Sequence, residues 1–457
     1  MTEQGVRWTA DQVLALAPDV TSRKAGSKLA TAGPWSGAAS GEGTVWGLCK
    51  GSGGRPYQTV VDLTGPGGPA YRCSCPSRKF PCKHALGLLL LWAADDGSVP
   101  ASARPPDWAA RWLSGRRTRA ESERAPAEGG SAEGGSAADG AADPEAARRR
   151  AERRAERVTA GATELEQRLA DLLRGGLVSA EQAGYGMWDE TAARMVDAQA
   201  PGLAARVREL GAIPASGAGW PARLLEECAL LHLLDEGWLR RDQLPEALAA
   251  TVRSRIGLPG TADGPPVRDR WLVLAQYDTA DTKLTTRRIW LHGAESGHVR
   301  LLLSYGAAGR APELALPVGL ALDAELSAYP ASGRSRAALG ERFAPPAPAA
   351  FRPPGVTTAE AAAGYGDALR DDPWLESVPV TLDRVIAVPD GDRWQLADAG
   401  TDSALPLSRA AHGRAGLWRL VALSGGRPVK VFGECGHRGF TPLTAWQEET
   451  GEAVPLC

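Results

Sequence analysis

Hydrophobic and polar positions divide the chain by their period. From residue 44 to 75 the apolar residues come in short runs broken by glycine. Strand-like runs at 44–50 and 56–63 flank Gly51-Ser52-Gly53-Gly54, and Gly65-Pro66-Gly67-Gly68 leads into a third run at 71–75. Apolar runs joined by glycine-rich turns predict a hairpin and a following strand. Residues 85–94, with leucine at 86 and 88–91 plus Trp92, are apolar nearly all round and predict a buried helix ended by Asp95, Asp96 and Gly97. Upstream, Thr9 and Gln12 have the spacing of a capping box for a short helix over 11–17. A Gly/Ser/Ala-rich patch covers 31–43, and Trp108 and Trp112 close this first module at about 113.

Between 144 and 258 the period becomes helical. A charged helix over 148–157 runs on through Leu165, Leu169, Leu172 and Leu173, and further helices fit 191–198, 202–210, 222–234 and 244–255. Alternating, β-rich runs follow at 271–277, 285–291 and 299–305. After a Pro/Ala-rich break at 344–355 one helix fits 358–369, and the tail reads as strands at 378–388, 394–397, 417–423 and 428–433. The segment 127–142 contains only Ala, Gly, Ser, Glu and Asp, so it lacks the apolar surface that would offset its ordering entropy. The expected division is therefore an N-terminal domain over 1–113, a flexible linker over 114–147, a helical region over 148–260 and a β-rich region over 261–457. The fold class is α+β.

Composition narrows the function classes. The 457 residues are 43% apolar and 23% charged, the balance of a globular protein. Seven cysteines are too few and too odd in number for a disulfide scaffold. No apolar run is long enough to span a bilayer, and the first residues lack a secretory signal pattern. A reducing cytoplasm is the expected location, with no membrane partner. Of the 52 basic residues only 7 are lysine, so arginine richness follows genomic base composition as readily as function. The formal charge of −2 hides a division: residues 1–117 carry +6 and the remainder −8. A uniformly basic coat protein is excluded, whereas a basic N-terminal module is not.

The sharpest chemical signal is Tyr71-Arg72-Cys73-Ser74-Cys75-Pro76-Ser77-Arg78-Lys79-Phe80-Pro81-Cys82-Lys83-His84. In a strand, residues two apart share a side, so Cys73 and Cys75 can present both sulfurs to one point. A proline-stiffened turn brings the chain back, and Cys82 and His84 stand at the start of the apolar helix. Three thiolates and one imidazole make a closed tetrahedral zinc site of the structural type, with no open position for a reactive water. An iron–sulfur centre is the alternative, which a set of four cysteines would suit better.

Cys73-x-Cys75, Cys82-x-His84 and the helix behind them resemble the SWIM-type zinc finger, over a module of about residues 44–95. The whole chain is similar in layout to bacterial SWIM zinc finger proteins, with an N-terminal finger, a helical region and a β-rich remainder. The resemblance implies one structural Zn2+, a small ββα-like module and a role in binding DNA or proteins. It does not imply an enzyme, and the sequence identifies no small-molecule substrate. Such finger proteins also look like companions of MoxR-type ATPases and von Willebrand A-type proteins, which makes a protein-interaction adaptor the alternative to a nucleic-acid-binding module.

Arg72, Arg78, Lys79 and Lys83 surround the ligands, with Arg55 on the hairpin and Arg23, Lys24 and Lys28 upstream. Read functionally, they form a phosphate-contacting patch. Read electrostatically, they balance the net −1 of three thiolates on one Zn2+, and both readings stay open. Cys435-Gly436-His437 repeats the C-x-H spacing without a second cysteine pair. Cys49 and Cys228 read as core residues. Arg148 with Glu152, and Arg153 with Glu156, have helical neighbour spacings that suit a solvated salt-bridged face. Asp189, Glu190, Asp197, Asp235 and Glu236 lie on helices with no spacing that assigns acid/base roles. No catalytic motif is present, so no enzyme is expected.

Overall fold

A computed structural model describes residues 8–124 and 144–457, apart from 15, 18–19, 52–54, 65–68, 78, 80, 103, 259, 261, 263, 281–283, 308–311, 313 and 330–334. The chain forms a mixed α+β architecture: an N-terminal sheet carrying the Cys/His cluster, a helical middle and two C-terminal sheets. Among the described residues no helix is long and apolar enough to cross a membrane.

The N-terminal module opens with α1 (Ala10–Leu14), and its capping box forms as the spacing predicts. The Thr9 N–H donates to Gln12 Oε1 at 2.9 Å, and the Gln12 N–H donates to Thr9 Oγ1 at 3.2 Å. After α2 (Val20–Ser27) come four antiparallel strands in sequential order, β1 (Trp35–Gly41), β2 (Thr44–Cys49), β3 (Tyr57–Asp62) and β4 (Ala70–Cys73). Helix α3 (Lys83–Ala93) lies across one sheet face and is buried along nearly its whole length. It meets α2 and the residues just after it at two glycines: a Cβ on Gly26 would stand 2.8 Å from Leu86 Cβ, and one on Gly87 would stand 3.3 Å from the Gly26 carbonyl oxygen and 2.6 Å from Leu29 Cβ. The other sheet face, with Trp46 and Val60, is covered by α4 (Asp107–Arg124) through Ala109 and Leu113.

Two features differ from the sequence reading here. The Gly/Ser/Ala patch over 31–43 carries β1, an edge strand held by pairing with β2 rather than by its own propensity, with a bulge between Ser36 and Ala39 where Gly37 has φ 59°. Helix α4 continues to Arg124, into the segment expected to be linker from 114. Residues 125–143 of that segment lie outside the described residues.

The helical region consists of α5 (Pro144–Gly175), α6 (Val178–Asp197), α7 (Pro201–Leu210), α8 (Trp220–Leu239) and α9 (Glu246–Ile256). Their apolar stripes meet in one core around Val158, Leu165, Met195, Leu203, Leu224, Leu231 and Trp238. The expected Arg148–Glu152 pair forms at 3.4 Å on the exposed N-terminal part of α5. A register of α5 against α8 is fixed by two contacts: Trp238 Nε1 donates to Thr159 Oγ1 at 3.1 Å, and His232 Nδ1 lies 2.6 Å from Glu166 Oε2.

The C-terminal part holds two six-stranded sheets. The first is built from β5 (Val267–Ala280), β6 (Leu284–Gly293), β7 (Val299–Ala307), β8 (Leu320–Ala328), β9 (Ala337–Arg342) and β10 (Ala347–Pro348). Its order is β10-β8-β5-β6-β7, with β9 also on β8. Helix α10 (Thr358–Asp371), capped by Thr357 and Glu360, leads to the second. That sheet has the order β13-β12-β11-β14-β15-β16, from β11 (Ser377–Asp390), β12 (Arg393–Asp398), β13 (Ala404–Pro406), β14 (Val429–Gly436), β15 (Gly439–Trp446) and β16 (Ala453–Pro455). Helices α11 (Arg409–His412) and α12 (Ala415–Ser424) connect β13 to β14. The run 417–423, read as a strand, is α12. Leu417 and Leu420 face inward while Trp418 stands exposed, and Gly425 ends the helix in the left-handed region at φ 54°. A short apolar run does not distinguish helix from strand by period alone.

The finger module packs on the first C-terminal sheet. Leu320, at the start of β8, is fully buried within the core that α3 shares with β2 and β3, and Gln12 Nε2 donates to the Val318 carbonyl at 3.4 Å. Between the two C-terminal sheets, Glu434 accepts from Tyr277 Oη at 2.8 Å and from Trp290 Nε1 at 2.9 Å.

Candidate metal centre

Local chemistry places each ligand. Cys73 ends β4, opposite Thr59 of β3, and Cys75 follows in the turn. Cys82 is the residue before the first turn of α3, and His84 lies within that turn. The strand end and the helix start thus converge on one point. One donor atom from each of Cys73, Cys75, Cys82 and His84 lies within 4.8 Å of every other, and among the described residues no other such group occurs. Cys73 Sγ stands 3.7 Å from His84 Nδ1. A tetrahedral ion with arms of roughly 2.3 Å to sulfur requires donor separations of about 3.8 Å. The donor set and its spacing therefore fit one structural zinc. Cys82 and His84 are buried and Cys73 and Cys75 half-buried, so the site is closed on the side of the core.

The surroundings favour negative charge on one sulfur, Cys73, and disfavour it on the other two. Each thiol sulfur accepts a backbone N–H: Cys73 from Cys75, Cys75 from Ser77 and Cys82 from Ala85. Thr59 Oγ1 lies 3.3 Å from Cys73 Sγ. The Tyr57 ring packs against the His84 ring at 4.9 Å between centroids, fixing the imidazole plane. Hydrogen bonding from Cys82, opposed by burial and aided by His84 and Thr59, holds the Cys73 thiol below the usual thiol range. Cys82 is pushed up by the same shared bond and by burial, and Cys75 is pushed up by burial. Bound Zn2+ deprotonates its thiols outright, supplying the charge the three sulfurs need. Thr59 and Tyr57 escape a reading of ligand spacing alone. Their signal is the strand pairing, which sets Thr59 against Cys73.

The cationic residues divide between the two faces of the sheet. Arg72 is exposed but alternates with Tyr71 and Cys73, and its cross-strand partner is Val60, so it lies on the α4 face, away from the cluster. Lys79 is exposed in the ligand loop, and Lys83 is exposed at the first position of α3. Arg78 lies outside the described residues. Among the described residues no carboxylate pairs with Arg72 or Lys83. A cation at a helix N-terminus opposes the helix dipole, so Lys83 gains nothing from α3 itself.

Charge is polarised along the module. Lys50, Arg55, Lys79 and Lys83 are all exposed at the end of the sheet that holds the cluster. No acidic residue occurs in 43–61 or 69–94. Glu42 and Asp62 stand at the opposite end, where Asp62 pairs with Arg116 at 3.2 Å. The remaining cysteines take no part. Cys49 and Cys228 are buried, as read from the sequence, and Cys435 is buried on β14. His437 Nδ1 lies 3.1 Å from Tyr365 Oη.

Comparison with known families agrees with this geometry. Residues 57–93 match the SWIM zinc finger, and residues 153–256 match the SWIM-associated four-helix bundle domain. The first match spans β3 through α3 with all four ligands, and the second runs from within α5 to the end of α9. No curated protein and no solved structure matches the chain.

Proposed function

We propose that this chain, which carries a SWIM zinc finger and the four-helix bundle domain associated with it, binds nucleic acid through the cluster end of the finger. The observation that carries the reading is the charge polarity of the module. Lys50, Arg55, Lys79 and Lys83 are exposed around the cluster, in stretches of sequence that contain no acid. Zinc would hold the ligand loop and the start of α3 in one geometry, so that Lys79 and Lys83 meet a phosphate backbone preorganised. Arg72, on the opposite face, is left out of the contact surface. The role assigned to zinc is structural, with four protein donors, and the proposal includes no catalytic step.

Phosphate contacts release counterions, so binding should weaken steeply with salt. Fluorescence anisotropy with a labelled duplex and a labelled single strand, from low to physiological salt, tests this. Lys79→Ala with Lys83→Ala should reduce the salt slope by about 2, whereas Arg72→Ala should leave it unchanged. No binding of either probe at low salt would refute the reading. It would favour protein docking, for which the exposed Leu225 and Leu233 on α8 and Trp418 on α12 are the supporting observation.

A further inference from the structure

Asp235 sits in the bundle core with none of its surface exposed, and neither carboxylate oxygen has a hydrogen-bond donor. It lies within hydrogen-bonding reach of Glu166 on α5. Glu166 Oε1 is likewise buried and without a donor, while Glu166 Oε2 lies 2.6 Å from Nδ1 of His232, a side chain 57% exposed one turn before Asp235 on α8. Compare Asp372, equally buried, which takes Arg255 as its partner. Among the described residues Asp235 has no cation as partner. The charged groups acting on it are Glu166 from α5 and Glu236 of its own helix, and α7 and α9, which also pack on α8, bring none among the described residues.

The Asp235 oxygens and Glu166 Oε1 are shut off from solvent, although the Glu166 side chain as a whole keeps 20% exposure, and two carboxylates this close cannot both stay ionised. A single proton between them removes one charge and gives the facing oxygens a donor and an acceptor. We infer that Asp235 and Glu166 share one proton inside the bundle, and that His232 ties this pair to the surface, making the α5–α8 contact a pH-sensitive latch. In its closed state protonated Asp235 donates to Glu166 Oε1, and the His232 N–H donates to Glu166 Oε2. Loss of the shared proton leaves two facing anions with one surface imidazole between them and solvent.

Burial first, and then the charge of Glu166, hold the Asp235 carboxyl up at about 9. An unfolded aspartate titrates near about 3.9. Folding therefore takes up a proton between those values. The stabilisation is complete below the unfolded value and is lost as pH rises through the folded one. The latch is closed in acid and neutral solution and opens toward alkaline pH.

Infrared difference spectroscopy of the zinc-loaded full chain at neutral pH tests the inference, comparing wild type with Asp235→Asn and Glu166→Gln. Expected is one protonated carboxylic-acid band in wild type that Asp235→Asn loses and that Glu166→Gln shifts in frequency, because burial still keeps Asp235 protonated after its acceptor is changed. Asp235→Asn should also flatten the fall in melting temperature from pH 5 to 9, because its amide donates to Glu166 without a titrating proton. Should Asp235→Asn fail to fold, the shift in Glu166→Gln carries the infrared comparison. Absence of the band overturns the inference. So does a second equivalent of Zn2+ or Mn2+ bound by wild type and lost in both variants, which would make these carboxylates metal ligands.

Discussion

Thr59 and Cys73 face each other across β3 and β4, with the threonine hydroxyl 3.3 Å from the cysteine sulfur. When Cys73 carries negative charge the hydroxyl donates to it, so a residue outside the ligand motif helps set the basicity of a ligand. Partners of this kind typically change metal affinity by about 10–100-fold when removed. Thr59→Val keeps the shape and removes the donor. It should bind one zinc with affinity lowered by about that factor, read in competition with a chromophoric chelator. Unchanged affinity would show that the contact is packing alone.

Zinc should also hold the module together. The cluster joins the end of β4 to the start of α3, and structural zinc contributes on the order of 10–16 kcal/mol of apparent binding free energy in small finger peptides. That compares with the net stability of a whole domain. Cys75→Ser, or excess chelator, should therefore release the zinc and unfold β2–β4 and α3. Chelation should also proceed more readily at lower pH, because protons compete for the thiolates. Zinc content and tryptophan near-UV circular dichroism, reporting on buried Trp46 and Trp92, check this. A variant with stoichiometric zinc and native dichroism would contradict it.

What the sequence shows and conceals follows the range of the interactions. Cys73, Cys75, Cys82 and His84 are legible because four donors from one short stretch can reach one point through a strand end and a helix start. Helix α3 is legible because its apolar surface is continuous. The exposure of β1 to misreading is physical: residues 35–41 have little strand propensity, and β2 supplies their order. Alternation along β4 already separates Arg72 from Cys73, but only the packing of α4 shows which face is which. Asp235 has no informative spacing because Glu166 comes to it through the register of two long helices.

Asp269 is a carboxylate whose balance runs opposite to that of Asp235. Burial raises its carboxyl, but bonds from the Ser296 hydroxyl and from the N–H groups of Ser296, Glu295 and Arg270 outweigh it and hold it below the usual carboxylate range. These bonds brace the turn after β6, with the Ser296 N–H at 2.8 Å. With its folded value depressed, Asp269 contributes stability above the unfolded value of about 3.9, and that contribution is lost as pH falls through the folded value. Asp269→Asn should therefore destabilise the first C-terminal sheet at neutral pH and narrow the gap to wild type in acid. Denaturant unfolding of both proteins at pH 7 and pH 3 measures it, and a gap that widens in acid would reverse the assignment.

Leu320 belongs by sequence to β8 and by packing to the finger, whose core it completes while wholly buried. The finger is thereby coupled to the sheet, and the Gln12 bond to the Val318 carbonyl lies at the same junction. Truncation to alanine removes apolar contacts on both sides and leaves a cavity, for which buried leucines typically lose about 2–5 kcal/mol. Leu320→Ala should therefore speed hydrogen exchange in α3 as well as in β8, while zinc stays bound because no ligand is touched. Exchange mass spectrometry of the zinc-loaded chain distinguishes the outcomes. Faster exchange in both segments shows that the finger draws part of its stability from the sheet. Acceleration confined to β8 would mean that the finger stands on zinc and its own core, and that the junction only positions it.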